Sequence, residues 1–201
     1  MIHLAFIRSS TCYDCWDYYE CKTDVWVFGD VGGYQYLRQE IFKASKATDN
    51  IYLTILDKHS TSMRGVILPA KKIKTQKPRL KFIERFVSDE SGTNMELVIY
   101  GNLAGYQYLA ETIETLIKKY AGNPSEHIHL DDQSDPYIIA RSVSLNLRGP
   151  LHKWRKQNME EYANLVYNKS NYFIPPNLEY RFQEKEEYLA INAKNSEFLK
   201  I

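Results

Sequence analysis

Residues 24–44 read DVWVFGDVGGYQYLRQEIFKA, and residues 96–116 read ELVIYGNLAGYQYLAETIETL. Both stretches contain the letters GYQYL, at positions 33–37 and 105–109. In each stretch an apolar run, a glycine and an Asp or Asn residue come before the shared letters. A match of this kind, with the same flanking pattern, indicates an internal repeat. We therefore predict that the fold is built by internal duplication of one structural unit.

Each repeat predicts a strand, a sharp turn and a helix, in that order. The apolar positions after the turn recur at spacings of three and four, which places them on one buried helix face. An Asp or Asn at the turn is suited to cap the helix N-terminus, and the glycines allow a sharp turn with close packing. The residues with this structural role are Gly29, Asp30, Gly33, Gly101, Asn102 and Gly105.

Two further apolar segments follow each helix and complete a β-α-β-β unit. The predicted fold class is therefore α+β, with sheet packed against helices. The chain divides into residues 1–70, the first unit with an extra N-terminal strand; 71–87, a basic connection and strand; 88–149, the second unit; and 150–201, a C-terminal helical extension. We expect these parts to form one compact domain.

The composition is that of a globular protein with balanced charge. Of the 201 residues, 44% are hydrophobic, and the formal net charge is +1. No overall field therefore directs the chain toward nucleic acid or a membrane surface. No apolar run approaches the roughly 20 residues of a membrane span, and the N-terminus lacks the pattern of a signal peptide. We expect a cytoplasmic protein that binds no membrane and needs no cofactor.

The three cysteines, Cys12, Cys15 and Cys21, lie within ten residues of one another. An odd number of cysteines without an export signal argues against a disulfide framework. Cys12 and Cys15 have the C-x-x-C spacing of a zinc or redox pair, but no second pair follows that would complete a zinc site. We interpret all three as free thiols.

A histidine-containing strand occurs only in the second copy, where residues 126–132 read EHIHLDD. Alternate side chains of a strand share a face, so His127, His129 and Asp131 are predicted to point the same way. Two imidazoles and a carboxylate with an open position for water are a candidate metal site. The alternative is a pair of solvent-facing or interface histidines on a half-buried strand.

A basic segment lies between the two copies. It contains Lys71, Lys72, Lys74, Lys77, Arg79, Lys81 and Arg85, with Phe82 and Phe86 among the charges. Such a run can follow a phosphate backbone, which makes these residues candidates for nucleic-acid binding. Charge runs are more often solvated connections between structural units, and no nucleic-acid-binding motif accompanies this one.

The chain contains 16 tyrosines. A tyrosine supplies a large contact area and a polar tip, which suits a binding surface. In the two repeats, Tyr34 and Tyr106 belong to the buried helix stripe, whereas Tyr36 and Tyr108 fall outside it. We therefore name Tyr36 and Tyr108, together with Trp154 in the C-terminal region, as candidate protein-binding residues.

Residues 96–147 carry a distinctive order of motifs. A Gly101-Asn102 turn leads into a helix that begins at Gly105-Tyr106, and the H-I-H-L-D strand of residues 127–131 and a final apolar strand follow. In these motifs the second half resembles immunity proteins of polymorphic toxin systems in bacteria. The resemblance implies a cytoplasmic protein that neutralises a toxin encoded nearby by occupying its active surface, without catalysis. The first copy departs from the pattern because it lacks the two histidines.

Our leading hypothesis is therefore a non-enzymatic protein-binding module, most specifically an immunity-type inhibitor of a toxin. One alternative is a metal- or ligand-dependent enzyme or sensor that uses His127, His129 and Asp131. A second alternative is a nucleic-acid-binding protein that uses residues 71–85. The residues favour a protein without catalytic activity but leave the question open.

Overall fold

The structure is a computed structural model that describes residues 3–11, 22–53, 63–71, 76–89 and 92–153. These residues form strands β1 to β8 and two helices, α1 and α2. In chain order the elements are β1 (Leu4–Thr11), β2 (Lys22–Gly29), α1 (Val31–Ala44), β3 (Ile51–Tyr52), β4 (Arg64–Ile67), β5 (Leu80–Asp89), β6 (Gly92–Gly101), α2 (Leu103–Tyr120), β7 (His127–Leu130) and β8 (Ser144–Arg148). Each strand and helix predicted within these residues is present, with boundaries shifted by a few residues.

The strands form two mixed four-stranded sheets. Sheet 1 has the order β1-β2-β8-β7, and sheet 2 has the order β3-β4-β6-β5. In each sheet the two outer pairs are antiparallel and the central pair, β2 with β8 or β4 with β6, is parallel. The helices pack against these sheets. The predicted α+β fold class is therefore confirmed.

Neither sheet is built from one half of the chain. Sheet 1 joins β1 and β2 from the first half to β7 and β8 from the second, and sheet 2 combines β3 and β4 with β5 and β6. The strands β1, β2, β8 and β7 have the counterparts β5, β6, β4 and β3 in the other half. With these replacements, the strand order of sheet 1 becomes that of sheet 2. Because each half completes its sheets with strands of the other, each half depends on the other for its backbone hydrogen bonds.

The glycine turns have the predicted structural role. The Asp30 carboxylate accepts a hydrogen bond from the Gly33 amide at 2.7 Å, and the Asn102 side-chain oxygen accepts one from the Gly105 amide at 2.8 Å. A Cβ atom on Gly33 would lie 1.9 Å from the His3 carbonyl oxygen. Both helices therefore begin as predicted, each at an Asp or Asn cap, and a glycine is required at position 33 because the backbone just before β1 passes close to the helix.

The larger hydrophobic cluster contains the inner faces of both sheets and the buried stripes of both helices, and a second cluster of Ala5, Ile7 and Phe28 lies on the opposite face of sheet 1. Tyr34 and Tyr106 are fully buried within the larger cluster, as the spacing predicted. The Tyr34 hydroxyl donates to the Val27 carbonyl at 2.7 Å, and the Tyr106 hydroxyl donates to the Leu68 carbonyl at 2.5 Å. The two tyrosines thus bury large rings without leaving a hydroxyl unsatisfied.

Several predicted features lie outside the described residues: the three cysteines, nearly all of the C-terminal extension with Trp154, and the basic residues Lys72 and Lys74. Within the described part of the chain, neither helix combines the length and the hydropathy that a membrane span requires.

Candidate functional site

The outward-facing side of sheet 1 carries the most distinctive group of polar and aromatic side chains. Along β2 and β8, residues such as Val25, Val27, Leu145 and Leu147 point into the core. The residues between them therefore point to the opposite face of the sheet. We call this group the outer patch, and it consists of Trp26, His127, His129, Asn146 and Arg148.

Strand register arranges the outer patch in two rows. In the first row, Trp26 on β2 lies opposite Asn146 on β8, which in turn lies opposite His129 on β7. In the second row, Arg148 lies opposite His127. Neighbouring side chains on one face of a sheet are close enough to contact one another, so the register brings residues from three strands into one cluster, with Trp26 also packed against the buried Ala5, Ile7 and Phe28.

Arg148 fixes the centre of the outer patch. Its Nη1 atom donates to the carbonyl oxygens of Pro124 and Ser125, at 3.3 and 3.0 Å. Its guanidinium carbon lies 4.4 Å from the centre of the Trp26 ring, within the range of a cation–π contact. The ring of His127 lies 5.5 Å from that of Trp26 on the same face. The half-buried indole is therefore held in place by a cation and an imidazole.

His129 is exposed, but both of its ring nitrogens are engaged. Nδ1 lies 3.3 Å from the Asp131 carboxylate, and Nε2 forms a hydrogen bond with the Ser144 hydroxyl. Asp131 also accepts hydrogen bonds from the amides of Gln133 and Ser134, each at 2.7 Å, and from the Ser134 hydroxyl at 2.8 Å. Asp131 thus caps the turn that follows β7 and orients the neighbouring imidazole.

The surroundings of Asp131 favour its charged form. Burial acts to raise the pKa of this carboxyl, but the hydrogen bonds from Ser134 and Gln133 and the nearby His129 act in the opposite direction. Their combined effect holds the pKa of Asp131 below its usual value. A carboxylate that accepts several hydrogen bonds in this way is the expected case of a stabilised anion.

This geometry bears on the predicted metal site. The prediction that His127 and His129 share one face is confirmed, with 6.5 Å between their ring centres. The lone pairs of Asp131 are directed to two amides, a hydroxyl and an imidazole, which uses the acceptor capacity of a carboxylate. Across the described ranges, no group of three His, Cys, Asp or Glu side chains could hold a metal ion. A metal at His127, His129 and Asp131 would first have to displace these hydrogen bonds.

Asn146 carries an unusual buried donor. The side chain is 2% exposed, and its Nδ2 atom has no hydrogen-bond partner in the described part of the chain. A buried amide nitrogen without an acceptor carries a free-energy cost of about 1–3 kcal/mol. The outer patch therefore has an unused hydrogen-bond donor at its centre, between Trp26 and His129.

The described residues of the basic segment do not form one surface. Lys71, Lys77 and Arg79 are exposed, whereas Lys81 is 3% exposed. Arg85 donates to the Glu96 carboxylate through Nε at 2.7 Å, an ion pair that neutralises its charge. Lys81 and Arg85 lie on the same face of β5, where Lys81 is buried and Arg85 is engaged by the Glu96 carboxylate. These residues therefore offer no continuous path for a phosphate backbone.

Tyr36 and Tyr108 are both half-buried and pack against the core. The Tyr108 hydroxyl donates to the Asp135 carboxylate at 2.6 Å, and its ring meets that of Tyr137 edge to face. Burial, followed by the bond to Asp135, raises the pKa of Tyr108 to about 12. Tyr108 thus attaches the loop after β7 to helix α2, an internal contact that the prediction of an exposed binding residue did not include.

Trp26, Asn146 and Arg148 were not predicted as site residues. Their signal is nevertheless visible in the sequence, because Trp26 stands between valines and Asn146 and Arg148 alternate with leucines in SLNLR. Such alternation indicates one face turned away from the core. It does not show that β2 and β8 are neighbours, since residues 27 and 145 are far apart along the chain.

The outer patch combines a half-buried indole with two exposed imidazoles, while Asn146 and Arg148 behind them are 2% and 6% exposed. These properties suit recognition of a surface or an extended segment more than bond-breaking chemistry. In comparisons with known proteins, no family model, no curated protein and no solved structure matches this chain.

Proposed function

We propose that this protein is a cytoplasmic, non-enzymatic protein-binding module, most specifically an immunity-type inhibitor of a bacterial toxin. The observation that carries the proposal is the outer patch, where the half-buried Trp26 contacts the Arg148 guanidinium and the exposed His127. Trp and Arg are enriched among the residues that dominate protein interfaces, and a rigid aromatic group loses little entropy on binding. The motif order of residues 96–147 supports the more specific version.

We also infer that the two halves arose by duplication. The shared letters GYQYL, the equivalent Asp30 and Asn102 caps and the matching strand orders of the two sheets support this inference. In this view the two sheets began alike, and the outer faces then diverged. His129 on β7 corresponds to Tyr52 on β3. His129 lies opposite Asn146 and Tyr52 lies opposite Val66, and each of these partners stands two residues after the start of the parallel pairing of its strand. Sheet 2 therefore provides an internal control for the function of sheet 1.

The test is co-purification with the product of the adjacent gene. We expect the full-length protein to form a stable complex with that product and to reduce its toxicity in cells. The Trp26→Ala variant should weaken the complex by roughly 2 kcal/mol or more, as loss of a central interface residue does. The matched control is Tyr52→Ala on the equivalent face of sheet 2, which should bind as the wild type does. A wild-type protein that forms no complex with any neighbouring gene product would refute the proposal.

A further inference from the structure

Lys81 on β5 has an unusual position for a charged side chain. Its neighbours Leu80 and Phe82 belong to the larger hydrophobic cluster, so Lys81 points to the opposite face of sheet 2. There it is 3% exposed and lies opposite Tyr100 of β6. Among the described residues, its amine forms no hydrogen bond or ion pair. Lysines are almost never this deeply buried unless they are paired, so this amine needs a separate explanation.

The matching position of sheet 1 shows that the fold does not require a lysine here. Ala5 on β1 lies opposite Phe28, as Lys81 lies opposite Tyr100, and each pair stands next to the glycine that ends the neighbouring strand. Ala5 is 0% exposed. A small apolar residue therefore fits this position of the sheet, whereas a lysine adds the free-energy cost of burying an amine. A costly residue where an apolar one fits is expected at functional sites.

The chain after β7 bulges beside Lys81. The Ile139 amide donates to the Leu80 carbonyl at 2.7 Å, and the Val143 amide donates to the Phe82 carbonyl at 3.0 Å. The two acceptors are two residues apart along β5, but the two donors are four residues apart. Parallel neighbours form evenly spaced bonds when their pairing is regular. The loop therefore leaves the line of β5 between these two contacts, which flank Lys81.

Arg141 lies within this bulge and has a backbone conformation that arginine rarely adopts. Its φ is 63°, and no other non-glycine residue in the described part of the chain has a positive φ. The Asp132 carboxylate accepts a hydrogen bond from the Arg141 amide, and the Ser142 hydroxyl donates to the Ile139 carbonyl at 2.6 Å. These bonds hold the turn, while the Arg141 side chain is exposed. Backbone strain of this kind clusters at functional sites.

The surroundings of Lys81 favour its neutral form. Burial lowers the pKa of the amine, the Arg141 charge lowers it further, and Asp132 acts in the opposite direction. The neutral amine is the nucleophilic form of a lysine, and proteins activate it by desolvation or by a neighbouring cation. A reactant must be small to reach a residue that is 3% exposed. Its product should be an anion, because an anion replaces repulsion by Arg141 with attraction.

Carbon dioxide meets both requirements. We propose that Lys81 is an activated amine that captures dissolved carbon dioxide as a carbamate. The neutral nitrogen attacks the carbon atom and forms a C–N bond, one C=O electron pair moves onto oxygen, and the nitrogen releases a proton to solvent. The reaction consumes no oxidant or reductant and reverses when carbon dioxide is removed. The charge at residue 81 thus changes from positive to negative as the carbon dioxide concentration rises.

The test uses ¹³C-labelled bicarbonate and the full-length protein at about pH 8, where ordinary lysines stay protonated. An oxonium reagent traps carbamates as ethyl esters, and peptide mapping by mass spectrometry assigns each ester to a residue. We expect label on Lys81 and none on Lys119, which is exposed on α2. In ¹³C NMR, the Lys81 carbamate signal should disappear in Lys81→Met and persist in Lys119→Met. A free α-amino group also reacts at this pH, and its signal should remain in both variants.

Arg141→Asn tests the contribution of the neighbouring cation. Asparagine tolerates a positive φ, so this variant removes the charge and keeps the turn. It should lower the labelled fraction of Lys81 by at least roughly threefold, because the carbamate loses an attracting cation. Arg79→Asn is the matched control, since Arg79 is exposed just before β5. This control should leave the labelled fraction unchanged.

Three results would overturn the proposal: no label on Lys81, equal label on Lys81 and Lys119, or unchanged label in a folded Arg141→Asn variant. Thermal unfolding shows whether each variant folds, and the first two results need only the wild-type protein. The proposed protein-binding function fails separately. A labelled protein that forms no complex refutes only that function, and a complex without label on Lys81 refutes only the carbamate.

Discussion

The side-chain oxygens of Asp30 and Asn102 occupy equivalent positions in the two halves of the chain. Each accepts a hydrogen bond from the glycine amide three residues later, at 2.7 Å for Asp30 and 2.8 Å for Asn102. The second contacts of the two caps differ. The Asp30 carboxylate meets the His3 imidazole at 2.7 Å, whereas the Asn102 amide nitrogen donates to the Lys77 carbonyl at 2.9 Å. The two residues are therefore equivalent as caps but not interchangeable.

We expect Asn102→Asp to destabilise the protein by roughly 1–3 kcal/mol. The change removes a buried donor and places a carboxylate oxygen against the Lys77 carbonyl, where two acceptors repel each other. The reciprocal change, Asp30→Asn, keeps the capping oxygen and should cost less than about 1 kcal/mol. Urea unfolding of both variants measures the difference. Equal losses in the two variants would contradict the distinct second contacts of the caps.

A second prediction concerns Gly33 and Gly105. A Cβ atom would lie 1.9 Å from the His3 carbonyl oxygen at Gly33, and 2.2 Å from the Arg79 carbonyl oxygen at Gly105. Both contacts are with backbone atoms, so the chain just before β1 or just before β5 would have to move. We expect Gly33→Ala and Gly105→Ala each to cost more than about 2 kcal/mol of unfolding free energy.

Gly32 is the matched control for these glycines. It lies in the same turn of α1 and is exposed, and an added Cβ there would meet only the Asp30 carboxylate, at 3.4 Å. Gly32→Ala should therefore be neutral or stabilise the protein by up to roughly 1 kcal/mol, because alanine favours the helix. If all three alanine variants lose the same unfolding free energy, close backbone contact is not the reason for glycine at positions 33 and 105 of the repeat.

The local elements of the fold could be predicted from the sequence, but their pairing could not. The repeat, the caps and the buried tyrosine stripe depend on residues close together along the chain, where periodicity and turn chemistry are sufficient. The exchange of strands between halves depends on contacts such as Val25 with Leu145. A sheet formed within one unit would satisfy the same alternation of apolar residues, so the sequence pattern does not distinguish the two pairings.

The candidate site was predictable to a similar extent. Alternation correctly placed His127 and His129 on one face of β7, but the turn at Asp131 depends on bonds to residues after the strand. The basic segment depends on long-range contacts in the same way. A run of charge in the sequence left open one surface or a solvated connection, and among the described residues β5 buries Lys81 and pairs Arg85 with Glu96. Charge density along a chain does not predict a charged surface when the segment is a strand.

A third prediction follows from the bond between Tyr108 and Asp135. Asp135 is 8% exposed, so Tyr108→Phe would remove a donor from a nearly buried carboxylate. We expect a loss of roughly 1–3 kcal/mol in unfolding free energy. Tyr52→Phe is the control, because Tyr52 is 63% exposed and should tolerate the change within about 0.5 kcal/mol. Loss of the same size in both variants would show that the Asp135 contact does not stabilise the fold.

Ionisation of Tyr108 makes the stability of the fold depend on pH. Its pKa is about 12 in the folded chain, compared with an ordinary value of 10.0. The stabilisation linked to this shift is complete below pH 10 and is lost as the pH rises toward 12, because the unfolded chain ionises first. The difference in stability between wild type and Tyr108→Phe should therefore shrink over this interval. A difference that stays constant from neutral pH to pH 12 would contradict the raised pKa.

The last prediction concerns Lys81, which is 3% exposed on strand β5. Burial lowers the pKa of its amine, Arg141 lowers it further, and Asp132 opposes both effects. Because this pKa is lower in the folded chain than the ordinary value of 10.5, a charged Lys81 destabilises the fold near neutral pH. The penalty decreases as the pH rises through the folded pKa and the amine loses its proton.

We expect Lys81→Met to raise the unfolding free energy by roughly 0.5–1 kcal/mol at pH 7 and to gain less at higher pH. Lys119→Met, on the exposed side of α2, is the control and should change stability by less than about 0.5 kcal/mol. Urea unfolding at pH 7 and pH 10 measures both variants, and a Lys81→Met protein less stable than wild type at pH 7 would show that the buried amine is compensated by its surroundings.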